Sequence, residues 1–264
     1  MTMGTEAVAS IVNALGRRIY VDADDERGRR MVATDGNVNP HSIELWRTAL
    51  SLRPWRLVVD VGCNYGEMLA DVDLPPGAEV VAFEPSPSVL PHLRRTLAEL
   101  PFEVELRELA VSDAPGEAQF VMDLGWSGTS ALADAHAVQT EQVEMVLVPV
   151  TTIDEALSGR EVRDLCMKID VEGHDLRVLS AARGSIRRAD AAAIMIEVLH
   201  FSPLVIADLA AEWEMYLMDG RSGALVRVPP GDGDAVAAML ASGWVLPQDA
   251  LLLQGDVQPE GMAA

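Results

Sequence analysis

Apolar residues in this chain gather into short, nearly unbroken runs, and the stretches between them carry helical spacing. "RLVVDVG" at 56–62 reads as a strand buried on both faces, and "AEVVAFEP" at 78–85, "DLCMKIDVEG" at 164–173 and "AAAIMIEVL" at 191–199 share its texture. "SVLPHLRRTLAEL" at 88–100 predicts a helix in spite of Pro91, and "HDLRVLSAARGSIRRA" at 174–189 predicts another. "FEVELRELAVSD" at 102–113 holds one or two strands, and "EAQFVMD" at 117–123 alternates as a half-buried strand does. "EMVLVPVTTIDEAL" at 144–157 reads as a strand followed by a helix that Thr or Asp opens. Beyond 201 the pattern loosens into a helix and strand over 201–219, a strand at "ALVRV", a helix at 233–243 and a final strand at "DALLLQGD", with "PQD" at 247–249 as loop. Strands alternating with helices predict an α/β fold with a doubly wound, mostly parallel sheet.

The first 54 residues differ. Residues 5–16 predict a short helix ending at Gly16, and "DADDERGRR" at 22–30 is expected to be charged and exposed. "PHSIELWRTALSL" at 40–52 carries an apolar stripe of Ile43, Leu45, Trp46, Ala49 and Leu50 between Pro40 and Pro54, so a second helix is expected there. The chain therefore divides into an N-terminal helical cap, 1–54, and a core, 55–264, whose sheet is completed by 201–264. Trp46 and Trp55 are open to three readings: roof of a substrate pocket, dimer surface, or core.

Composition narrows the function classes. With 264 residues, 49% of them hydrophobic, the chain can bury a sizeable core. Its 20 Lys and Arg against 41 Asp and Glu leave a net charge of −21, which repels phosphate backbones; nucleic acid and anionic membranes are not expected partners. Cys63 and Cys166 form no CxxC pair, and the N-terminus lacks the charged-then-apolar pattern of a signal peptide. A reducing, cytoplasmic setting is expected, with no membrane span.

The turn after the first buried strand carries the chemistry. It reads Asp60-x-Gly62-x-Asn64-x-Gly66, which does not match the GxGxxG spacing of dinucleotide sites. Its glycines let a ligand approach the backbone, while a carboxylate at its mouth disfavours a pyrophosphate and suits an ammonium or sulfonium. Glu84 ends the next strand, where an acid accepts bonds from ribose hydroxyls. A ribose at one end and a cation at the other describe S-adenosylmethionine.

"VVDVGCNYGEM", "VVAFEPSPSVL", "ELAVSDAPGEA", "VPVTTIDEAL", "MKIDVEGHDLRVLSAA" and "AIMIEVLH" stand in the order found in FkbM-type methyltransferases, which the chain resembles over roughly residues 55–200. The resemblance implies a Rossmann-like class I methyltransferase fold, with seven strands and the last antiparallel. It also implies donor contacts at Asp60, Gly62, Asn64, Tyr65, Gly66, Glu84, Pro85, Ser86, Val111, Ser112 and Asp170. One departure is the short segment "EMLADVDLPPGAE" after Gly66, which leaves room for a helix of only two turns and a more open adenine side.

"KIDVEGHD" packs Lys168, Asp170, Glu172, His174 and Asp175 at a strand end, where open α/β sheets bind ligands. Transfer of a methyl group to an alcohol needs the hydroxyl aligned and its proton removed. His174 has the unperturbed pKa for a base and Asp170 is the second candidate; the opposing readings are that His174 caps the helix and Asp170 only bonds the donor. Glu172 is read as a turn-orienting or substrate-contacting acid, and Lys168 as a surface residue or partner of a neighbouring acid. Glu197 and Ser130 are expected at the substrate, and Ser127, Thr129 and Ser130 in "GWSGTSAL" face the donor or acceptor, or sit in a surface turn. Asp170, Glu197 and His200 would offer Mg²⁺ an oxygen-rich site, which the composition permits and does not require.

These features favour an O-methyltransferase acting on a small molecule such as a secondary metabolite, polyketide or sugar, in natural product biosynthesis. N-methylation of an amine and a nicotinamide-dependent oxidoreductase are the alternatives, and a homodimer is compatible with either.

Overall fold

The computed structural model describes residues 8–135 and 141–257. Its centre is an eight-stranded sheet in the order Glu105–Arg107, Glu79–Phe83, Leu57–Val61, Asp164–Ile169, Ala191–Glu197, Val245–Gly255, Glu214–Asp219, Leu225–Arg227. The first five are parallel neighbours. Val245–Gly255 enters antiparallel between Ala191–Glu197 and Glu214–Asp219. The expected seven strands with an antiparallel last one are present; the eighth is the three-residue edge strand Leu225–Arg227, antiparallel to its neighbour. "PQD" lies inside Val245–Gly255 rather than in a loop, where it pairs Asp249 with Glu197.

Both faces of this sheet are covered, which is why its strands read as unbroken apolar runs. Side chains alternate across a strand, so Val59, Val61, Val81, Phe83, Met167 and Ile169 enter one apolar layer while Val58, Val80, Ala82 and Cys166 enter the other. Cys63 and Cys166 are buried free thiols.

A second, four-stranded sheet takes up elements that the alternation assigned to the main one. Its order is Ala110–Val111, Val143–Thr151, Gly116–Asp123, Ala131–Leu132. The strand expected at 117–123 pairs antiparallel with Val143–Thr151, so both leave the main sheet. The 124–130 loop between Gly116–Asp123 and Ala131–Leu132 is thereby carried across the carboxyl ends of the central strands.

The helices follow local signals with two adjustments. Leu90–Ala98 accommodates Pro91 in its first turn, where no backbone N–H is needed. The crossover after Gly66 holds one helical turn, Glu67–Ala70, less than the two expected. The helix predicted over 174–189 is two helices, Asp175–Ser180 and Arg183–Arg188. The Asp154 carboxylate accepts from the Gly184 N–H at 2.9 Å, which gives the second helix its own N-terminal acceptor.

The N-terminal segment departs most. Of the helix expected at 5–16, residues 5–7 lie outside the described residues, and the rest is instead part of a hairpin, Val8–Val12 paired with Arg18–Asp22. Val8, Ile11 and Val12 are β-branched and favour a strand. Asn13 closes the turn, its Oδ1 accepting from the N–H groups of Leu15 at 3.1 Å and Arg17 at 2.9 Å. The charged stretch at 22–30 is not simply exposed: Glu26–Ala33 is a helix with Gly28 and Met31 buried, and Asp25 before it is 4% exposed. Pro40–Ser51 is a helix as expected. Trp46 and Trp55 are core, 0% and 1% exposed, and neither faces the cavity described below. Among the described residues no helix is long and apolar enough to cross a membrane.

Candidate functional site

An open cavity of about 870 Å³ lies at the carboxyl ends of the central strands. Gly62 and Asn64 border it from the turn after Leu57–Val61, and Glu84 and Pro85 from the end of the next strand. Asp170, Glu172 and His174 border it after Asp164–Ile169, and Glu197 at the end of Ala191–Glu197. Val111, Ser127 and Ser130 close it from the side of the smaller sheet.

The glycine turn is built by close approach. Gly62 has φ 77°, and a Cβ there would lie 1.9 Å from the carbonyl oxygen of Asp170. Only glycine lets this turn pass the "KIDVEG" turn so closely. Asn64 takes φ 46°, a left-handed conformation asparagine tolerates. Its N–H donates to Glu84 Oε2 at 2.9 Å, and the Ser86 N–H donates to Glu84 Oε1 at 2.9 Å. Both carboxylate oxygens are thus aimed by backbone and retain lone pairs for a ligand. Burial pushes the Glu84 carboxyl up to about 7, against the pull of those two N–H groups.

Asp60 does not reach the cavity. Its side chain is 0% exposed and faces Lys168, with Nζ 3.3 Å from Oδ1. The two residues are register partners on adjacent parallel strands. The cation that Asp60 was expected to find in a ligand is supplied by the protein. Lys168 is likewise a buried partner rather than a surface residue; its Nζ lies 3.4 Å from Asp170 Oδ2 and donates to the Gly62 carbonyl at 3.1 Å. Burial alone would lower the Lys168 pKa, but Asp60 and Asp170 outweigh it and hold the ammonium charged.

Four more expected donor contacts sit behind the lining. Tyr65 is 1% exposed and its hydroxyl donates to Asp25 at 2.8 Å; Gly66 opens the Glu67–Ala70 turn; Ser86 holds Glu84; Ser112 holds His174. They shape the site from outside it.

The "KIDVEGHD" turn is held by Asp175, not by Glu172. Asp175 accepts from the Val171 N–H at 3.1 Å and the Gly173 N–H at 3.0 Å. Glu172 is released to the cavity, with a left-handed φ of 52° that a non-glycine residue rarely takes. Carboxylate oxygens of Asp170, Glu172 and Glu197 lie within 4.8 Å of one another. Burial, then repulsion from Asp170, lifts the Glu172 carboxyl to about 8 and raises Glu197 as well. Three such acids are a ligand set that Mg²⁺ accepts. His200 is exposed and outside this group; Glu172 stands where His200 was expected.

His174 borders the cavity with Nδ1 hydrogen-bonded and Nε2 beside a carboxylate. Nδ1 lies 2.9 Å from Ser112 Oγ and Nε2 lies 2.9 Å from Asp134 Oδ1. Burial lowers its pKa against the opposing pull of Asp134, which favours the neutral ring. Nδ1 is taken by the Ser112 hydroxyl, while Nε2, close to Asp134, makes no hydrogen bond among the described residues. Nor does the side chain cap the following helix. In the "GWSGTSAL" loop, the hydroxyls of Ser127 and Thr129 are committed to Asp25 at 2.6 Å and Asp123 at 3.0 Å. Ser130 accepts from the Asp123 N–H, so its own proton is directed elsewhere.

Sequence reasoning missed the contribution of the N-terminal segment. Arg27, Asn39 and Ser42 border the cavity, as does Asp249. Asp249 accepts from Ser42 Oγ at 2.5 Å, and burial raises its pKa to about 7. Asp25 caps the Glu26–Ala33 helix and also binds the Ser127 N–H at 2.9 Å, the Ser127 hydroxyl and the Tyr65 hydroxyl. One carboxylate thereby ties cap, glycine turn and overlying loop together. Its signal was the Asp-Glu-Arg start of a helix, masked by the charge around it. Asp25→Ala is expected to cost about 3 kcal/mol of stability, from several charge-assisted bonds lost at once. Urea unfolding measures it, and a cost under about 1 kcal/mol would mean the three segments hold together without this residue.

The strand order, the single inserted antiparallel strand and the glycine turn beside Glu84 define a nucleoside-binding α/β enzyme rather than a dinucleotide-binding one. Residues 60–223 match the methyltransferase FkbM domain, more than half of the chain, and the protein belongs to that family of S-adenosylmethionine-dependent methyltransferases. No curated protein matches it in sequence. Similar solved structures include a S-adenosylmethionine-dependent methyltransferase from Agrobacterium tumefaciens, 11% identical with a TM-score of 0.47, covering 98% of this chain and 72% of that one. The O-methyltransferase TomG from Streptomyces achromogenes, in complex with S-adenosylmethionine, is 12% identical with a TM-score of 0.42, covering 90% and 91%. A transferase from Pyrococcus horikoshii is 14% identical with a TM-score of 0.43, covering 95% and 72%. At these scores nothing about the acceptor rests on the likeness.

Proposed function

We propose that the protein transfers a methyl group to a hydroxyl of a small molecule, with Glu84 gripping the ribose of the donor. The observation that carries the donor half is the Glu84 carboxylate, buried at a strand end with each oxygen oriented by a backbone N–H. The acceptor half rests on the carboxylate group of Asp170, Glu172 and Glu197 facing the same cavity. When bound, S-adenosylmethionine supplies a methyl group activated by its sulfonium. The protein's task is then to hold the acceptor oxygen in line and take its proton. Glu172 is the base we favour: it borders the cavity, its pKa is raised toward neutrality, and its oxygens are free of the turn. Asp170 is engaged with Lys168, and His174 acts as a positioning residue that fixes the turn through Ser112 and Asp134. The net charge of −21 argues for a small acceptor over nucleic acid.

The same carboxylates favour a second reading, N-methylation of a cationic amine, because they would attract it. Incubating the protein with donor and parallel panels of alcohols and amines, with and without magnesium, separates the two. Mass spectrometry and NMR of the product read the methylated atom. Transfer confined to amines would sink the O-methyltransferase reading.

A further inference from the structure

The smaller sheet is covered by apolar packing on one face only. Phe120, Met122, Val146 and Val148 turn inward to its own cluster. Side chains alternate along a strand, so Val143, Met145 and Leu147 point the other way, and they are 44%, 56% and 63% exposed. Exposed Pro149 continues the row, and exposed Leu124 adjoins it, its N–H donating to the Gln142 carbonyl at 2.8 Å. In a chain with a net charge of −21, the stretch 143–151 carries a single charge, Glu144, which alternation places off this row.

The same strand leaves an edge open. Sheets of natural proteins end in short, charged or bulged strands, because an unpaired row of N–H and C=O groups recruits another strand. The main sheet follows this rule and ends in the three-residue strands Glu105–Arg107 and Leu225–Arg227. In the smaller sheet the terminal strand Ala110–Val111 pairs only with Val150 and Thr151, so among the described residues no strand pairs with 143–149 on that side. Its ladder with Gly116–Asp123 runs without a bulge, and no lysine or arginine interrupts it. The Ser112 N–H donates to the Thr151 carbonyl at 3.0 Å, which shows which groups face the opening. Orientation alternates along the strand, so Val143, Met145, Leu147 and Pro149 present their main-chain groups to the open side, and Pro149 has no N–H to offer.

We infer that this edge joins two copies of the chain, strand against strand, about a two-fold axis at Met145. Identical antiparallel segments are self-complementary about such an axis, and Pro149 selects their register. Centred on Met145, the pairing sets Met145 opposite the partner's Met145 and Val143 opposite the partner's Leu147. Every N–H on the open side of 143–147 then meets a carbonyl, and Pro149 falls outside the paired strands. Centred on Val146 instead, Pro149 would stand opposite the partner's Val143 and leave it without a donor. The Met145 register also places Glu144 opposite the partner's Val146, so like charges are not opposed, and it lays the two apolar rows side by side. A foreign strand would satisfy the same hydrogen bonds; the second copy is favoured because its own row, charge and proline all fit. The contact covers roughly 500 Å² per copy, roughly 1,000 Å² for the pair, about the least a specific interface needs, which makes a weak, reversible dimer. Gly116–Asp123, the neighbour of the paired strand, leads into the loop whose Ser127 and Ser130 border the cavity, so the pairing braces that side of the site.

Sedimentation equilibrium of the wild-type protein at about 1–100 µM should show monomer passing to dimer. Nothing larger should form, because the pairing uses up the edge of both copies. Met145→Pro removes the central donor on the open side, where an edge strand tolerates proline, and Met145→Lys puts two like charges on the axis. Each should weaken association by about tenfold or more with the far-ultraviolet circular dichroism of the wild type retained. Disulfide trapping reads the register separately. Cys63 and Cys166 are buried, so Met145→Cys and Leu147→Cys each add one exposed thiol. Directly opposed residues lie within disulfide reach, at a Cα separation of about 5.5 Å, whereas the two copies of Leu147 are offset by about 14 Å along the strands. Mild oxidation with copper phenanthroline should therefore cross-link Met145→Cys and spare Leu147→Cys. A wild type monomeric throughout, assemblies larger than a dimer, a dimer that both Met145→Pro and Met145→Lys retain, or equal cross-linking of the two cysteine variants would overturn the inference.

Discussion

Lys168→Met should lower the stability of the protein by about 3–5 kcal/mol, the cost of leaving a buried charge without its partner. Asp60 is fully buried, and neither of its oxygens has a hydrogen bond among the described residues. Lys168 is its only ion-pair partner there. The methionine side chain fills similar space, so the loss is electrostatic rather than a packing defect. Burial already raises the Asp60 pKa against the pull of Lys168, and removing the lysine would drive the carboxyl to take up a proton. The double variant Lys168→Met/Asp60→Asn removes both charges and should recover part of the loss. Urea unfolding of the three proteins forms the comparison. A single variant within about 1 kcal/mol of wild type would mean that the pair contributes little and that Asp60 is neutral from the start.

Glu84→Ala should weaken donor binding by about 100-fold or more, because two hydroxyl bonds to a charged acceptor are lost together. The loss has a signature of its own. It should affect S-adenosylhomocysteine and 5′-methylthioadenosine alike, since both keep the ribose. Glu84→Gln should not rescue it fully: an amide offers one acceptor oxygen, whereas the N–H groups of Asn64 and Ser86 require two. Acidity follows from the same group. The Glu84 carboxyl is held near about 7 by burial in the free protein, and ribose hydroxyls donate to the ionised form. Affinity should therefore fall as the pH drops through about 7, because binding must then displace a proton. Calorimetry across that range checks the sign. An unchanged affinity in Glu84→Ala would remove the ribose assignment.

Much of the core could be read from the chain because its cues are local. Buried parallel strands are apolar at every position, so Leu57–Val61, Glu79–Phe83, Asp164–Ile169 and Ala191–Glu197 stand out without knowledge of their partners. The residues just past their ends are the ones a ligand meets, which is why Gly62, Asn64, Glu84, Asp170, Glu172 and Glu197 were legible as site residues and do border the cavity. The hairpin at 8–22 was not legible. Its apolar residues fit either period, and the decision came from distant contacts such as Asn13 Nδ2 donating to the Ala70 carbonyl at 2.8 Å.

The sequence by itself determined the fold class, the order of its motifs and which strand-end acids border the cavity, because these follow from periodicity and from acids placed at strand ends. Only the tertiary structure decided how the charged groups are paired. Asp60 turned from an expected ligand contact into the buried partner of Lys168, and His174 was tied through Nδ1 to Ser112. Glu172 became a cavity acid because Asp175 took over the turn, and Arg27 was brought from a charged N-terminal stretch into the site. All but the Glu172–Asp175 exchange depend on a partner far along the chain, and the energy of a buried charge is set by what lies within a few ångströms of it in space.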